Sequence, residues 1–231
     1  MTIRAVLFDL DNTLTHRARS ISAFSQSLAQ RFFSFLSVVN VDQITQIVHR
    51  IDNGGYPKKE FLTHPSIGAS VAHALLEELD WIQKPEFDVL TNFWFDEFGN
   101  NAVEMLGAKQ LLEELKKQNY KLAVVSNGGH QTRLNILKGL GFLAFFDEVI
   151  SSELIGISKP NSEIFIETSK RLNVELNQCL FIGDHPVNDI QGANNVGMKA
   201  VLVEGFHQLD EQELASIPFR IKQLSEIWSY L

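Results

Sequence analysis

Residues 5–13 read AVLFDLDNT, and in this stretch four apolar residues are followed at once by a polar, acidic cluster. A continuous apolar run of this length is typical of a strand that is buried on both faces of a parallel sheet. The acidic cluster would then lie at the carboxyl end of the strand, the edge at which open parallel sheets bind their ligands. The stretch therefore predicts an α/β fold with a candidate site directly after its first strand.

Downstream of about residue 107, the patterns of helices and strands alternate along the chain. Strands are predicted at residues 122–125, 148–150, 179–182, 199–203 and 219–221. Helices are predicted around residues 111–115, 131–140, 160–172 and 189–196, with a closing helix near the C-terminus. Strands separated by helices in this order indicate a doubly wound parallel sheet.

Residues 16–100 differ from the rest of the chain because they carry helix signals and no strand signal. Apolar residues recur there at three- and four-residue steps, as one face of a helix requires: Ile21, Phe24, Leu28, Phe32 and Phe35. Because this insertion leaves the sheet at the edge that carries the site, we expect it to cover the site as a cap. The predicted domains are an α/β core of residues 1–15 and 101–231 and a helical cap of residues 16–100.

Composition narrows the classes of function. The chain has 231 residues and a formal net charge of −8, so neither nucleic acid nor an anionic membrane is expected as a partner. Its single cysteine, Cys179, excludes an internal disulfide and fits a reducing compartment. No stretch offers the roughly 20 apolar residues of a membrane span, and the N-terminus has no basic leader. We therefore expect a cytoplasmic protein.

Four polar clusters follow predicted strands or lie in loops near them. The first contains Asp9 and Asp11, whose carboxylates repel each other unless a cation or a shared proton separates them. An ordinary acidic turn is the alternative, because Asp and Asn favour turns. The second is residues 126–129 (SNGG), whose hydroxyl, amide and backbone N–H groups could bind phosphate oxygens at the start of the next helix. Taken alone, a plain strand-to-helix turn explains it more simply.

The third cluster is residues 158–160 (SKP) and the fourth is residues 183–189 (GDHPVND). Lys159 would place a compact positive charge beside a helix that begins at Pro160, although most lysines in such places are solvated. Asp184 lies at the end of its predicted strand, as Asp9 lies at the end of the first strand. Asp189 lies five residues later, where it could equally be a helix cap.

Together, the segments DLDNT, SNGG, KP and GDHPVND resemble, in their order and separation, the motifs of the haloacid dehalogenase superfamily of hydrolases. The resemblance spans nearly the whole chain and is to phosphatase-type members with a small helical cap after the first motif. It implies that Asp9 is the nucleophile that attacks phosphorus, and that Asp11 is the general acid and base. It also implies that Thr13 orients Asp11, that Ser126 hydrogen-bonds the phosphoryl group and that Asn127 helps to position the nucleophile loop.

The same resemblance implies a Mg²⁺ cofactor held by oxygen ligands. These ligands would be the carboxylates of Asp9 and Asp184 and the backbone carbonyl of Asp11. Asp189 would bind the ion directly or support it from behind. Lys159 would offset the negative charge of Asp9 and of the phosphoryl oxygens.

The predicted function is Mg²⁺-dependent hydrolysis of a small-molecule phosphomonoester through an aspartyl phosphate. A phosphomutase acting on a sugar phosphate is an alternative, since similar motifs serve both outcomes. A 2-haloacid dehalogenase is a second alternative. Halide, however, leaves unprotonated and without a metal, and the superfamily's dehalogenases typically lack an aspartate at the position of Asp11. A non-enzymatic binding module would be free to lose Asp9, Asp11 or Lys159, all of which are present.

The sequence leaves the substrate open among nucleotides, sugar phosphates and phosphoglycolate, and it leaves the protein as a monomer or a homodimer. Residues 53–59 (NGGYPKK) are only a candidate contact within the cap. His16, Arg17 and Arg19 would lie at the entrance to the cap, where they could face the leaving group. His130 and His185 flank the second and fourth clusters and could touch the substrate.

Overall fold

A sheet of six parallel strands runs through residues 2–231, which are the residues that the computed structural model describes. The strands are β1 (Ala5–Phe8), β2 (Lys121–Ser126), β3 (Glu148–Ser151), β4 (Cys179–Gly183), β5 (Lys199–Val203) and β6 (Arg220–Ile221). Their order in the sheet is β3-β2-β1-β4-β5-β6, and every neighbouring pair is parallel. The prediction of a doubly wound parallel α/β fold is therefore confirmed.

The helices that connect these strands lie close to the predicted positions. They are α1 (Arg17–Arg31), α2 (Val41–Asp52), α3 (Ile67–Glu78), α4 (Phe87–Glu97), α5 (Ala108–Lys117), α6 (His130–Gly139), α7 (Ser152–Ile155), α8 (Ser162–Leu172), α9 (Gly192–Asn195) and α10 (Glu211–Ser216). Of these helices, none is long and apolar enough to cross a membrane, a finding that covers residues 2–231.

Strand β1 lies at the centre of the sheet and is completely buried. Its side chains alternate between two apolar clusters, with Val6 and Phe8 in one and Ala5 and Leu7 in the other. It pairs with β2 on one side and with β4 on the other, so the strand order reverses beside it. Ligands bind at such switch points in open α/β sheets. The carboxyl ends of β1 and β4 are thus the expected place for a site.

Between β1 and β2, residues 17–97 form the helices α1 to α4, which we call the helical block. Helix α1 packs on α2, and α3 packs on α4. Phe24 is the aromatic centre of the block, with ring centroids 5.6 Å from Phe93, 5.0 Å from Trp94 and 5.7 Å from Phe98. The block shares its apolar cluster with one face of the sheet, so its position over that end of the sheet is fixed by packing.

Two helices begin elsewhere than predicted, and both differences have a local cause. Helix α8 starts at Ser162 rather than Pro160, because the side chain of Asn161 accepts the N–H of Glu163 and caps the first turn. The helix predicted from Asp189 starts three residues earlier, as a wide turn over residues 186–191. There the ring of His185 accepts backbone N–H groups and is the cap, so the reading of Asp189 as a helix cap was wrong. The predicted closing helix is a 3₁₀ helix over residues 224–230.

Candidate active site

Asp9 is fixed by the sheet itself. Its backbone N–H donates to the carbonyl of Ile182, 2.8 Å away, and so extends the pairing of β1 with β4 by one residue. The chain then turns sharply, with Asn12 in the left-handed region at φ 58°. This turn leaves both Asp9 and Asp11 buried at the carboxyl edge of the sheet. A side chain held by a strand end is kept in place more rigidly than one on a free loop.

Lys159 joins two carboxylates in the buried interior of the site. Its Nζ lies 2.6 Å from Asp9 Oδ1 and 2.7 Å from Asp189 Oδ1. The backbone of Lys159 is held from both sides by one amide: Asn127 Nδ2 donates to its carbonyl at 3.0 Å, and its N–H donates to Asn127 Oδ1 at 2.8 Å. Asn127 was expected to help to position the nucleophile loop, and its two side-chain hydrogen bonds are to the backbone of the lysine that holds Asp9.

The side chains of Asp9, Asp184 and Asp189 converge from three places in the chain. Each offers a carboxylate oxygen, and these oxygens lie within 4.8 Å of one another. Asp9 Oδ2 is buried and has no hydrogen-bond partner. Asp189 is engaged on both sides, since its Oδ2 accepts the N–H of His185 at 3.0 Å. A buried carboxylate oxygen without a donor is the kind of group that a cation satisfies.

Electrostatics also fit a cation at this place. Burial raises the pKa of Asp9 to about 6, against the lowering effect of Lys159 and with further raising by Asp189 and Asp11. Burial likewise raises the pKa of Asp184 and of Asp189. In residues 2–231, five buried aspartates face three buried cationic side chains, so two negative charges are in excess. A divalent cation would remove this excess, and the carboxylate oxygens are the donors that Mg²⁺ prefers.

Asp11 has a different environment from its neighbours, because arginines surround it. Arg17 Nη1 lies 2.9 Å from its Oδ1, and Arg133 Nη1 lies 3.3 Å from its Oδ2. Burial alone would raise the pKa of Asp11, but the two arginines outweigh it and hold the pKa below its usual value. Thr15 Oγ1 adds a hydrogen bond at 3.4 Å. Thr13, which was expected to orient Asp11, is buried and its Oγ1 makes no hydrogen bond.

A short loop of residues 53–56, the roof loop, closes over these carboxylates from the helical block. Asn12 Nδ2 donates to the carbonyl of Gly54 at 3.3 Å, and the Tyr56 hydroxyl donates to Asp184 Oδ1 at 3.2 Å. Burial and the surrounding carboxylates raise the pKa of Tyr56 far above its usual value, so it remains a donor. His207 Nε2 lies 3.1 Å from the other oxygen of Asp184. Both oxygens of this carboxylate are therefore held.

These groups enclose a cavity of about 60 Å³. It is lined by Asp9, Asp11, Gly55, Tyr56, Ser126, Asn127, Lys159 and Asn188. Five of the predicted catalytic residues thus face one space, and Asp184 and Asp189 each have a carboxylate oxygen within 4.8 Å of one of Asp9. Thr13 is the exception among the predicted catalytic residues.

Sequence reasoning missed three residues of the site: Asp52, Arg133 and His207. Asp52 and Arg133 lie on helices, and His207 lies four residues after β5 in a loop that carries no motif, so no local pattern distinguished them. Arg17 was expected at the entrance, but it is buried against Asp11. Arg19, in contrast, is exposed.

The remaining candidates have structural positions rather than places in the cavity. Lys58 and Lys59 are exposed. His16 lies edge-on to Phe206, with ring centroids 5.9 Å apart. His130 Nδ1 lies 3.2 Å from Ser151 Oγ.

Comparison with known proteins agrees with this geometry. A model of the haloacid dehalogenase-like hydrolases matches residues 3–197. Haloacid dehalogenase-like hydrolase domain-containing protein 3 of Mus musculus is 29% identical, over 94% of this chain and 88% of its own length. Glyceraldehyde 3-phosphate phosphatase of Methanopyrus kandleri is 40% identical over 92 residues, which are 40% of this chain and 40% of that protein.

Among solved structures, the HAD-hydrolase YfnB of Bacillus subtilis, in a form bound to magnesium, has the same fold. It superposes with a TM-score of 0.72 and 21% identity, over 100% of this chain and 99% of that chain. The family match extends over all four motif segments and over the strand ends that carry them. The chain therefore belongs to the haloacid dehalogenase-like hydrolases, as its motifs indicated.

Proposed function

We propose that this protein is a metal-dependent phosphatase that hydrolyses a small phosphomonoester through a phosphorylated Asp9. The observation that carries the proposal is the state of the Asp9 carboxylate. Lys159 holds Oδ1 at 2.6 Å, while Oδ2 is buried without a partner on a side chain that lines the cavity. A fixed carboxylate with one free oxygen is suited to attack an electrophile that enters this space.

The size of the cavity supports a phosphoryl group as that electrophile. A cavity holds one water molecule when roughly 10–15 Å³ of it is open to the centre of that molecule. The 60 Å³ of this cavity, measured in the same way, therefore accepts a compact group of a few atoms. Ser126, Asn127 and Lys159 supply the polar atoms of its wall.

In the first step, the Asp9 carboxylate attacks phosphorus, and the bond between phosphorus and the ester oxygen breaks. Asp11 gives its proton to the departing oxygen, so an alcohol leaves rather than an alkoxide. Lys159 lies against the attacking carboxylate and offsets negative charge on the transferring group. Ser126, buried at the end of β2, is placed to donate to a phosphoryl oxygen.

In the second step, Asp11 takes a proton from water as the water oxygen attacks the phosphorus of the aspartyl phosphate. Inorganic phosphate leaves, and the carboxylate of Asp9 is restored. Arg17 and Arg133 favour the ionised form of Asp11, which is the form that a general base requires. An incoming phosphate dianion acts in the opposite direction, because a nearby negative charge favours the protonated carboxyl that the first step requires.

Asp9, Asp184 and the backbone carbonyl of Asp11 are the groups that would hold Mg²⁺. Asp189 would bind the ion directly or support the site from behind, through its contacts with Lys159 and with the N–H of His185. When bound, the cation would screen the repulsion between an anionic phosphoryl group and an aspartate nucleophile.

The name of the archaeal relative suggests a first substrate to test. Glyceraldehyde 3-phosphate is a three-carbon phosphomonoester, and the matched segment covers 40% of that relative. A panel for this protein should therefore include it beside phosphoglycolate, a hexose phosphate, a nucleoside monophosphate and 4-nitrophenyl phosphate. Release of inorganic phosphate is measured with Mg²⁺ and with an excess of chelator.

The critical variant is Asp9→Asn, which keeps the shape of the side chain and removes the nucleophile. We expect turnover to fall by roughly 10⁴-fold or more, as it does when other enzymes lose a nucleophile. Asp96→Asn is the matched control, because Asp96 is exposed on the helical block. Retained turnover in Asp9→Asn would refute the assignment.

The same assays separate phosphatase from its two alternatives. A phosphomutase would interconvert a sugar phosphate and release little inorganic phosphate. A dehalogenase would release halide from a 2-haloacid and would keep its activity with chelator. The position of Asp11 in the wall of the cavity favours a reaction whose leaving group needs a proton.

A further inference from the structure

We propose that Arg17 and Asp52, neither of which lines the cavity, are positioning residues that hold Asp11 and the roof loop in a single arrangement. The proposal rests on the phosphatase function proposed above, in which Asp11 is the general acid. It adds to that function a pair of residues from the helical block on which proton donation to the leaving group depends.

One guanidinium joins two carboxylates here. Arg17 Nη1 donates to Asp11 Oδ1 at 2.9 Å, while Nη2 lies 2.5 Å from Asp52 Oδ1. Arg17 Nε donates to both oxygens of Asp52, at 3.2 Å each. The planar fork of arginine fits such a pairing and restricts the carboxylate to one orientation. The position of Asp11 is thereby tied to the C-terminal end of α2.

Asp52 carries the connection on to the roof loop. Its Oδ2 accepts the N–H of Gly55 at 3.0 Å. A Cβ placed on Gly55 would lie 3.5 Å from Asp11 Oδ2, so the backbone of the loop rests directly on the acid. Gly55 has a φ of 91°, which only glycine adopts without strain. The loop therefore fits on Asp11 only in the conformation that Asp52 holds.

An aromatic ring also holds the flat face of the Arg17 guanidinium. The carbon at its centre lies 4.4 Å from the centroid of the Phe98 ring, which is itself buried. Phe98 directly follows α4, the last helix of the block. Arg17, the first residue of α1, thus contacts the end of α2, the residue that follows α4 and the acidic turn after β1.

The cost of burying charge indicates that the ion pair of Arg17 and Asp52 positions neighbouring groups more than it stabilises the fold. Arg17 is 3% exposed and Asp52 is completely buried. Burying two charges costs several kcal/mol per ion, and an apolar pair of similar volume is often as stable or more so. An apolar pair, however, would not fix the orientation of the neighbouring groups as the ion pair does.

The deciding experiment compares leaving groups in variants of the pair. For Asp52→Asn, we expect kcat/KM to fall about 10²-fold for glycerol phosphate, because an acid misplaced by about 1 Å loses that much rate. For 4-nitrophenyl phosphate we expect a fall of less than about 5-fold, since nitrophenolate leaves without needing a full proton transfer. Because kcat/KM reports the steps up to the first irreversible one, the later use of Asp11 as a base does not enter.

Three further variants keep the comparison decisive. Arg17→Lys retains the charge without the fork and should show the same selective loss. The double variant Arg17→Met with Asp52→Leu removes both charges of the pair and leaves Asp11 paired with Arg133, so it should fold and still lose activity on the alkyl phosphate selectively. Arg31→Met, an exposed change at the far end of the same helix, should leave the rates for both substrates unaffected. An equal loss for both substrates would overturn the proposal and leave Arg17 and Asp52 as an ordinary structural ion pair.

A second measurement does not depend on activity. Hydrogen exchange in a peptide that covers residues 53–57 should be faster in Asp52→Asn than in the wild type, while a peptide from β4 should be unchanged. If the wild type released no phosphate from any monoester, the proposed function would fail, and this exchange result would still show whether Asp52 holds the loop. Unchanged exchange in the roof loop would overturn the positioning role.

Discussion

Gly183, the last residue of β4, leaves room for the side chain of Asp189, so we expect Gly183→Ala to lower activity more than stability. A Cβ on Gly183 would lie 2.6 Å from Asp189 Cβ and closer still to its carboxylate. Carbon atoms pack at about 3.5–4.0 Å, so Asp189 must move by about 1 Å. Overpacking of this kind costs about 1–3 kcal/mol of stability, whereas a shift of about 1 Å in a catalytic group lowers the rate about 10²-fold.

The displacement would reach the nucleophile through one contact. Asp189 Oδ1 lies 2.7 Å from Lys159 Nζ, which in turn holds Asp9 at 2.6 Å. The assay is kcat/KM for phosphate release, together with urea unfolding of the same preparations. Gly197→Ala is the matched control, because Gly197 has a φ of 83° and no heavy atom within 4 Å of an added Cβ. It should cost about 1–2 kcal/mol of strain and leave kcat/KM within about 3-fold of the wild type, a change too small to involve the site.

Two outcomes would contradict this reasoning. If Gly183→Ala kept its activity, Asp189 would not need its present position. If Gly197→Ala lost as much activity as Gly183→Ala, the loss would follow stability and not the position of the carboxylate.

Two further predictions concern charge in the site. Burial raises the pKa of Asp9 from 3.8 to about 6, so the folded, metal-free protein binds a proton that the unfolded chain releases. Its stability should fall by up to about 3 kcal/mol as the pH rises from about 4 to above 6. Urea unfolding in chelator should show a smaller fall in Asp9→Asn than in the wild type, because the raised pKa values of Asp184 and Asp189 still act in the same direction. Mg²⁺ should restore stability mainly above pH 6. Lys159→Met leaves Asp9 and Asp189 without their cation. We expect this variant to lose about 3–5 kcal/mol of stability in chelator and at least about 10²-fold in kcat. Wild-type stability or turnover in this variant would contradict the pairing of Lys159 with the two carboxylates.

Much of this site could be predicted because its residues follow apolar strand runs. Asp9 and Asp184 come directly after β1 and β4, which are neighbours in the sheet. Lys159 has no such strand before it, and its motif supplied the prediction. The fold itself followed from the alternation of helix and strand patterns, which local hydrophobicity records well.

The rest of the site depends on contacts that the local sequence does not record. Asp52 and Arg133 lie on helices, and only packing brings Asp52 to Arg17 and Arg133 to Asp11. Thr13 and Thr15 lie two residues apart in one turn, and the sequence could not say which hydroxyl reaches Asp11. Asp189 was predicted at the start of its helix, three residues too late, because the wide turn over residues 186–191 has no distinct sequence signal.

The roof loop also determines how a molecule can reach Asp9. Tyr56 and Gly55 form part of the wall of a space that accepts a compact group. The carbon skeleton of a phosphate ester would extend past these two residues, so the roof loop would contact the part of the substrate that distinguishes one ester from another.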